Sequence, residues 1–254
     1  MQVILTHEQG DFDALGSLLG ASLLNEQAAP VLPRRLNRNV QAFMNLYGAG
    51  LPFTDPRHLP PGPIEAAILV DTQSLVTLKG MKNDIKVQVI DHHPPRPDLN
   101  PAWTLQHENV GACTTLFVEA LREQGAFLAP LHATLLMLGI YEDTGSLSYA
   151  STTSRDLWAV IYLLEHGGSL KLVGEYLTQP LSSAQLELYD RLMSTIESHI
   201  IEGQRIMVAC ACAEDVHNEI SSVAHKLRDM LDMDALFIIV QTSEGIRIVA
   251  RSTS

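Results

Sequence analysis

At 254 residues with 46% hydrophobic content, the chain can bury one large core or two smaller ones; because domains usually hold about 100 to 200 residues, two are expected. Its 17 basic and 29 acidic residues leave a formal charge of −12, which excludes a broad basic face gripping duplex DNA and confines any nucleic-acid contact to a local patch. Cys113, Cys210 and Cys212 form no even-numbered disulfide framework and read as reduced thiols. No apolar run reaches the ~18 residues of a membrane span, and the start turns acidic too early for a signal peptide, so a cytoplasmic protein is expected.

In chain order, "QVILTH" (2–7) predicts a strand and "DALGSLLGASLLN" (13–25) a helix. "NVQAFMNLYG" (39–48) is a further helix candidate. "AAILVDT" (66–72) and "KVQVIDHH" (86–93) are apolar runs of the kind found in buried parallel strands, and both end in acid or histidine. Helices are expected over "GACTTLFVEALREQG" (111–125), "LHATLLMLGIYEDTG" (131–145), "TSRDLWAVIYLLEHGG" (153–168) and "SSAQLELYDRLMSTIESHI" (182–200). "TQPLSS" (178–183) reads as a linker whose serines cap the following helix. Then "QRIMVACA" (204–211), a helix over "SSVAHKLRDML" (221–231), and "ALFIIVQT" (235–242) with "IRIVARS" (246–252) around "SEG" suggest a small mixed domain containing a β-hairpin. The fold expected is α/β: a parallel-sheet domain with flanking helices over 1–180, then a smaller mixed α/β domain over 181–254. The chain ends four residues after Ala250, directly off a strand-like run, and is expected to be a piece of something longer.

Three strand ends deliver His7 with Asp11 and Asp13, then Asp71, then Asp91, His92 and His93; Glu142 and Asp143 follow an apolar helical run. In a parallel sheet the carboxyl ends of strands share one edge, so these segments would converge there. Aspartate and histidine without cysteine suit Mn²⁺ or Mg²⁺, and a carboxylate has two oxygens with which to bridge a pair of ions. Paired ions promote in-line attack on phosphorus. Taken singly, each motif has a plainer explanation: "DFD" as a helix cap, "DHH" as a turn with a capping aspartate, "EDTG" as a helix exit. The metal reading rests on all four occurring together at element ends.

These residues resemble the DHH phosphoesterase family, named for the triplet standing here at Asp91, His92 and His93. "THEQGDFDALGSL", "LVDT", "VIDHHP" and "GIYEDTGSL" are similar to its four ordered motifs, and "VGACTTLFVEAL" and "STTSRDLWAV" to the helices around its site. The resemblance implies that His7, Asp11 and Asp71 hold one Mn²⁺ and that Asp13, Asp71, His92 and Asp143 hold the other, with Asp71 bridging. His93 is left to contact the substrate phosphate or leaving group, and Asp91 to orient its neighbours. Gly10 stands where many members have a proline.

The second half resembles the start of the associated DHHA1 substrate domain, Arg251 and Ser252 matching its Arg-Ser strand end; the "GGGH" segment of that domain is absent from the sequence. The overall wording is most similar to the amino-terminal module of large bacterial proteins that continue with CBS domains and a tRNA nucleotidyltransferase or poly(A) polymerase unit. The function implied is a Mn²⁺-dependent phosphodiesterase acting on short RNA, tRNA 3′ ends or small nucleotides, with a homodimer among the expected assemblies. An inorganic pyrophosphatase and a weakly active RNA-positioning module stand as alternatives. Arg34, Arg35 and Arg38 read as a solvated loop before a phosphate contact, and the seven histidines outside the motifs as ordinary surface or core residues.

Overall fold

In the computed structural model, which describes residues 1–177, 181–213, 220–243 and 245–252, the opening run forms β1 (Gln2–Leu5), followed by a two-residue β2 (Gln9–Gly10) and α1 (Phe12–Leu24). Next come β3 (Ala28–Pro30), β4 (Arg35–Leu36), α2 (Arg38–Tyr47), β5 (Ile64–Val70), β6 (Met81–Asp91) and β7 (Thr104–His107). The helices α3 (Cys113–Glu123), α4 (Pro130–Asp143), α5 (Ser154–Glu165) and α6 (Leu170–Leu177) complete the first of two units, Met1–Gln179. Its sheet has the order β3-β1-β5-β6-β7 with every pair parallel.

Period-two alternation distributes the strand residues between two cores. Val3, Leu5, Ala67, Leu69, Val87 and Val89 face Leu75, Leu78 and Trp103 from the connecting segments. Ile4, Ile68 and Val70 face Leu18, Ala21, Cys113 and Phe117 of α1 and α3. A second helical layer closes over α1 around Phe43, Leu135, Leu136 and Met137. Because all five strands run the same way, their carboxyl ends lie along one edge, and the acidic and histidine segments emerge there.

The second unit, Pro180–Ser254, contains α7 (Ser183–Thr195), β8 (Glu197–Ile201), β9 (Gln204–Cys212), α8 (Ile220–Met230), β10 (Ala235–Thr242) and β11 (Gly245–Ser252). Its sheet order is β11-β10-β9-β8, with β9 and β10 parallel and the outer pairs antiparallel. Leu188, Leu192, Val223 and Leu227 pack on Leu236, Ile238 and Val240. Ser182 caps α7 in a capping box with Gln185. Residues 178–180 of the expected linker and Glu244 of the expected turn lie outside the described residues.

Several elements depart from the sequence reading, the two-residue strands β2 and β4 among them. The helix expected through Ile200 stops at Thr195, and "ESHII" forms β8. Glu202 and Gly203 both take positive φ, 51° and 84°, as a primed two-residue hairpin turn requires, and so return the chain antiparallel as β9. β3 and β7 escape the pattern because they are edge strands: one ends in proline, the other is polar and mostly exposed. α6 is only 8 residues long, too short for its periodicity to stand out. Among the described residues, no helix is long and apolar enough to cross a membrane.

Candidate metal centre

Asp11 shows how one residue serves two purposes. Its backbone is extended and its Oδ1 accepts from the Ala14 amide at 2.9 Å, capping α1, while its Oδ2 lies 3.6 Å from His7 Nε2. Two residues on, Asp13 is fully buried, and its two oxygens accept from the Cys113 and Thr114 amides, each at 2.8 Å, so it caps α3 from across the fold. Between them Phe12 anchors the motif in the helical core. The loop before α1 is fixed by the β2–β4 ladder, where Gly10 pairs with Leu36 and a β-carbon at Gly10 would lie 2.6 Å from Pro33 Cγ. That close approach is a packing reason for glycine where many members of the resembled family carry proline.

Asp71 follows β5 with φ of 54°, a left-handed conformation uncommon for anything but glycine, asparagine or aspartate. It is 5% exposed and faces three histidines: His7 Nε2 at 3.4 Å, His92 Nε2 at 3.6 Å and His93 Nδ1 at 3.6 Å. His92 Nε2 also lies 3.3 Å from Asp143 Oδ2 and 3.9 Å from Asp13 Oδ2, and its Nδ1 is 3.1 Å from the Val110 carbonyl. Three groups of potential ligand atoms result: His7, Asp11 and Asp71; Asp13, His92 and Asp143; and Asp71, Asp91, His92 and His93. Asp91 itself is 1% exposed, and its oxygens accept from Gln73 Nε2 and the His93 amide while one lies 2.9 Å from His93 Nδ1.

The donor set fits a cation. Asp71 Oδ1 and His92 Nε2 are buried and have no hydrogen-bond partner among the described residues, a state costing about 1–3 kcal/mol per group unless something fills it. Asp143 and Glu142 also sit in the last turn of α4, the negative end of the helix dipole, with no basic residue there. Burial, with the charges of Asp11 and Asp143 adding to it, raises Asp71 to about 6. Burial and neighbouring carboxylates raise Asp13 as well. For His7 burial works against the charge, but Asp11 and Asp71 outweigh it and raise the pKa to about 10; Asp143 and Asp13 do the same for His92, also to about 10.

These shifts carry the same sign. A histidine raised above 6.5 contributes stability that is complete below that pH and fades as pH climbs towards 10; Asp71, raised above 3.8, loses its contribution through about 6. The metal-free protein is therefore expected to melt lower as pH rises from 6 towards 10. Metal ligation needs these atoms free of protons, so Mn²⁺ should bind with proton release and its stabilising effect should grow over the same range. Melting curves with chelator and with Mn²⁺ check this; a Mn²⁺ increment that stays constant with pH would contradict it.

Sequence reasoning left several site residues unassigned. Glu142 is used by the fold: it accepts from the Phe12 amide and from Asn39 Nδ2, and burial, with the Asp11 charge adding, raises it to about 8. Gln73 bridges Asp91 Oδ2 and the His93 and Pro94 carbonyls and accepts from the Arg96 amide, binding the "DHH" loop to the Asp71 loop. Its position two residues past Asp71 was the only signal available. Arg251 and Ser252 lie at the end of β11 in the second unit, opposite Leu236 and Ala235; the Arg251 Nη1 donates to the Ala250 carbonyl, and its Nε is buried without a hydrogen-bond partner among the described residues.

Residues 2–140 match the profile of the DHH family, N-terminal domain. The chain belongs to the DHH family. Over 99% of its length this DHH chain is 35% identical to the A-adding tRNA nucleotidyltransferase of Geobacter sulfurreducens, of which it spans 29%. It is 26% identical, over 98% of its length, to the bifunctional oligoribonuclease and PAP phosphatase NrnA of Mycoplasma genitalium, spanning 80% of that protein. Its fold is that of an exopolyphosphatase-related protein from Bacteroides fragilis, with a TM-score of 0.75 at 16% identity, covering all of this chain and 79% of the other. The result is a DHH-family domain with a candidate divalent-metal site at the sheet edge.

Proposed function

We propose that this chain is a Mn²⁺-dependent phosphodiesterase module acting on short RNA, tRNA 3′ ends or small nucleotides, within a longer cytoplasmic protein that carries CBS and tRNA nucleotidyltransferase domains. The observation that carries it is Asp71: one buried carboxylate grouped with His7 and Asp11, whose other oxygen is unpartnered among the described residues and lies 3.6 Å from His92 Nε2 of the Asp13, His92 and Asp143 group. His7, Asp11 and Asp71 would hold one ion; Asp13, Asp71, His92 and Asp143 the other. Mixed nitrogen and oxygen donors suit Mn²⁺, with Mg²⁺ the harder substitute. Bound there, the ions supply Lewis acidity and offset charge for attack at phosphorus.

The remaining groups handle the substrate. His93 has a half-exposed side chain, and the hydrogen bond with Asp91 raises its pKa despite burial. It is thus suited to meet a phosphate oxygen or to give the proton on its outward nitrogen to the departing oxygen. Asp91, fixed by Gln73, holds that ring in place. In this reading Arg251 and Ser252 bind the nucleotide phosphate, the guanidinium pairing bidentately. The similarity to NrnA across 98% of the chain supports a nucleotide or oligoribonucleotide substrate, and the 29% span of the tRNA nucleotidyltransferase supports placement in a longer protein.

The test is hydrolysis with Mn²⁺ of short RNA, pyrophosphate and a cyclic dinucleotide side by side. Mononucleotide release from RNA is expected to be the fastest. Pyrophosphate as the preferred substrate would replace this reading with a pyrophosphatase; hydrolysis of none of the three would leave a positioning module.

A further inference from the structure

We propose that Asp156 is a positioning residue that acts on His92 through one peptide group, Val110–Gly111; the proposal rests on the metal-centre reading above. Asp156 stands at the third position of α5, fully buried, where its ordinary task is a capping box with Thr153. That box occupies Oδ2 alone, which accepts from the Thr153 amide and hydroxyl, both at 2.7 Å. The carboxylate does more than cap. Both of its oxygens accept from the Gly111 amide, at 3.1 and 3.0 Å, and Oδ1 takes the Thr115 hydroxyl at 2.6 Å.

The Gly111 amide and the Val110 carbonyl belong to the same planar peptide unit. At one end of that unit stands Asp156. At the other, the Val110 oxygen lies 3.1 Å from His92 Nδ1. A carboxylate pulling on the N–H polarises the amide and makes its carbonyl a better acceptor, so the His92 Nδ1–H is held and Nε2 is left as the free donor atom among Asp13, Asp71 and Asp143. The arrangement is a carboxylate–histidine pair with one peptide interposed. The peptide is fixed in place: a β-carbon at Gly111 would sit 2.8 Å from Asp156 Oδ2 and 2.6 Å from Thr144 Cγ2, so only glycine lets the backbone lie against the carboxylate.

The same stretch serves a second ligand. Two and three residues beyond Gly111, the Cys113 and Thr114 amides hold Asp13, and Thr115 returns to Asp156. Asp156 therefore fixes the strip of backbone that orients Asp13 and His92, two members of one ligand group, whereas none of its hydrogen bonds reaches the His7, Asp11 and Asp71 group.

Asp156→Asn keeps the shape and removes the charge, and it sets an amide NH₂ against donors. Mn²⁺ titration of the metal-free protein, followed by electron paramagnetic resonance, separates two classes of site. Loss of outer hydrogen bonds to a metal-ligating histidine typically costs 10–100-fold in affinity, so one class is expected to weaken by about that factor while the other stays nearly unchanged. The His92 Nδ1 proton resonance should move upfield in the same variant. A lower melting temperature with the His92 resonance and the ratio of the two affinities unchanged would reduce Asp156 to a helix cap and overturn the proposal. Wild-type protein that binds no Mn²⁺ overturns the metal-centre reading instead. If Asp156→Asn does not fold, the wild type decides: adding Mg²⁺ to the ¹⁵N-labelled protein must shift the Gly111 amide together with His92 Nδ1, and a Gly111 amide that stays put overturns the relay.

Discussion

Asp71→Asn is expected to bind neither ion firmly and to hydrolyse substrate about a thousandfold more slowly, roughly 4 kcal/mol of barrier at 1.36 kcal/mol per decade. Asp71 belongs to the His7 and Asp11 group through Oδ2, and its Oδ1 lies 3.6 Å from His92 Nε2 of the Asp13, His92 and Asp143 group, so removing its charge should weaken both proposed ions at once. The fold should survive, for two reasons. Asparagine tolerates the left-handed backbone that Asp71 adopts at φ of 54°. Burial and like charge already push Asp71 towards its neutral form, so the metal-free variant should melt at or above the metal-free wild type. Asp13→Asn makes the contrast. There both oxygens receive backbone amides, so an NH₂ group must oppose one of them, and the metal-free protein should lose stability while only one ion is weakened. Metal stoichiometry, hydrolysis rate and melting temperature for both variants check this. Asp71→Asn that keeps two ions and near-normal turnover would mean the shared carboxylate is not the centre of the site.

Phe12→Ala is expected to cost about 3–5 kcal/mol of stability to the first unit, the range for removing a fully buried aromatic ring. Phe12 stands between Asp11 and Asp13 and packs edge-on against Phe43, with ring centroids 5.7 Å apart, and against Tyr176 at 6.3 Å. Phe43 and Tyr176 are in turn 5.1 Å apart, so the three rings close on one another. Losing the first ring leaves a cavity beneath the turn that aims both aspartates, and Mn²⁺ affinity should fall although no ligand has changed. Denaturant unfolding with and without Mn²⁺ measures both effects. A loss below about 1 kcal/mol would place the anchor of this motif elsewhere.

The sequence by itself determined the chemistry at the sheet edge. Apolar runs ending in His7, Asp71 and Asp91 are legible because a buried parallel strand needs no alternation and because its carboxyl end is where a polar residue can first appear. The DHH motifs added order along the chain, and with it the family. Where local pattern was strong, as in α1, α4 and β5, element and position both followed from it.

Only the tertiary structure decided what each acid does. Asp11 and Asp13 look alike in "DFD", yet one caps its own helix and the other caps α3, about 100 residues away in sequence, because a helix start exposes amides that any buried carboxylate can satisfy. Glu142 and Asp143 are adjacent, but successive helical positions point about 100° apart, so one turns to the Phe12 amide and the other to His92. Asp156 closes a capping box with Thr153 inside its own helix start, and its link to His92 through the Val110–Gly111 peptide exists only once α5, α3 and β6 are packed together. Spacing along the chain records which side chains are present. Which of them share a hydrogen bond depends on contacts between segments that sequence separates by dozens of residues, and those are set by the packing of the cores beneath them.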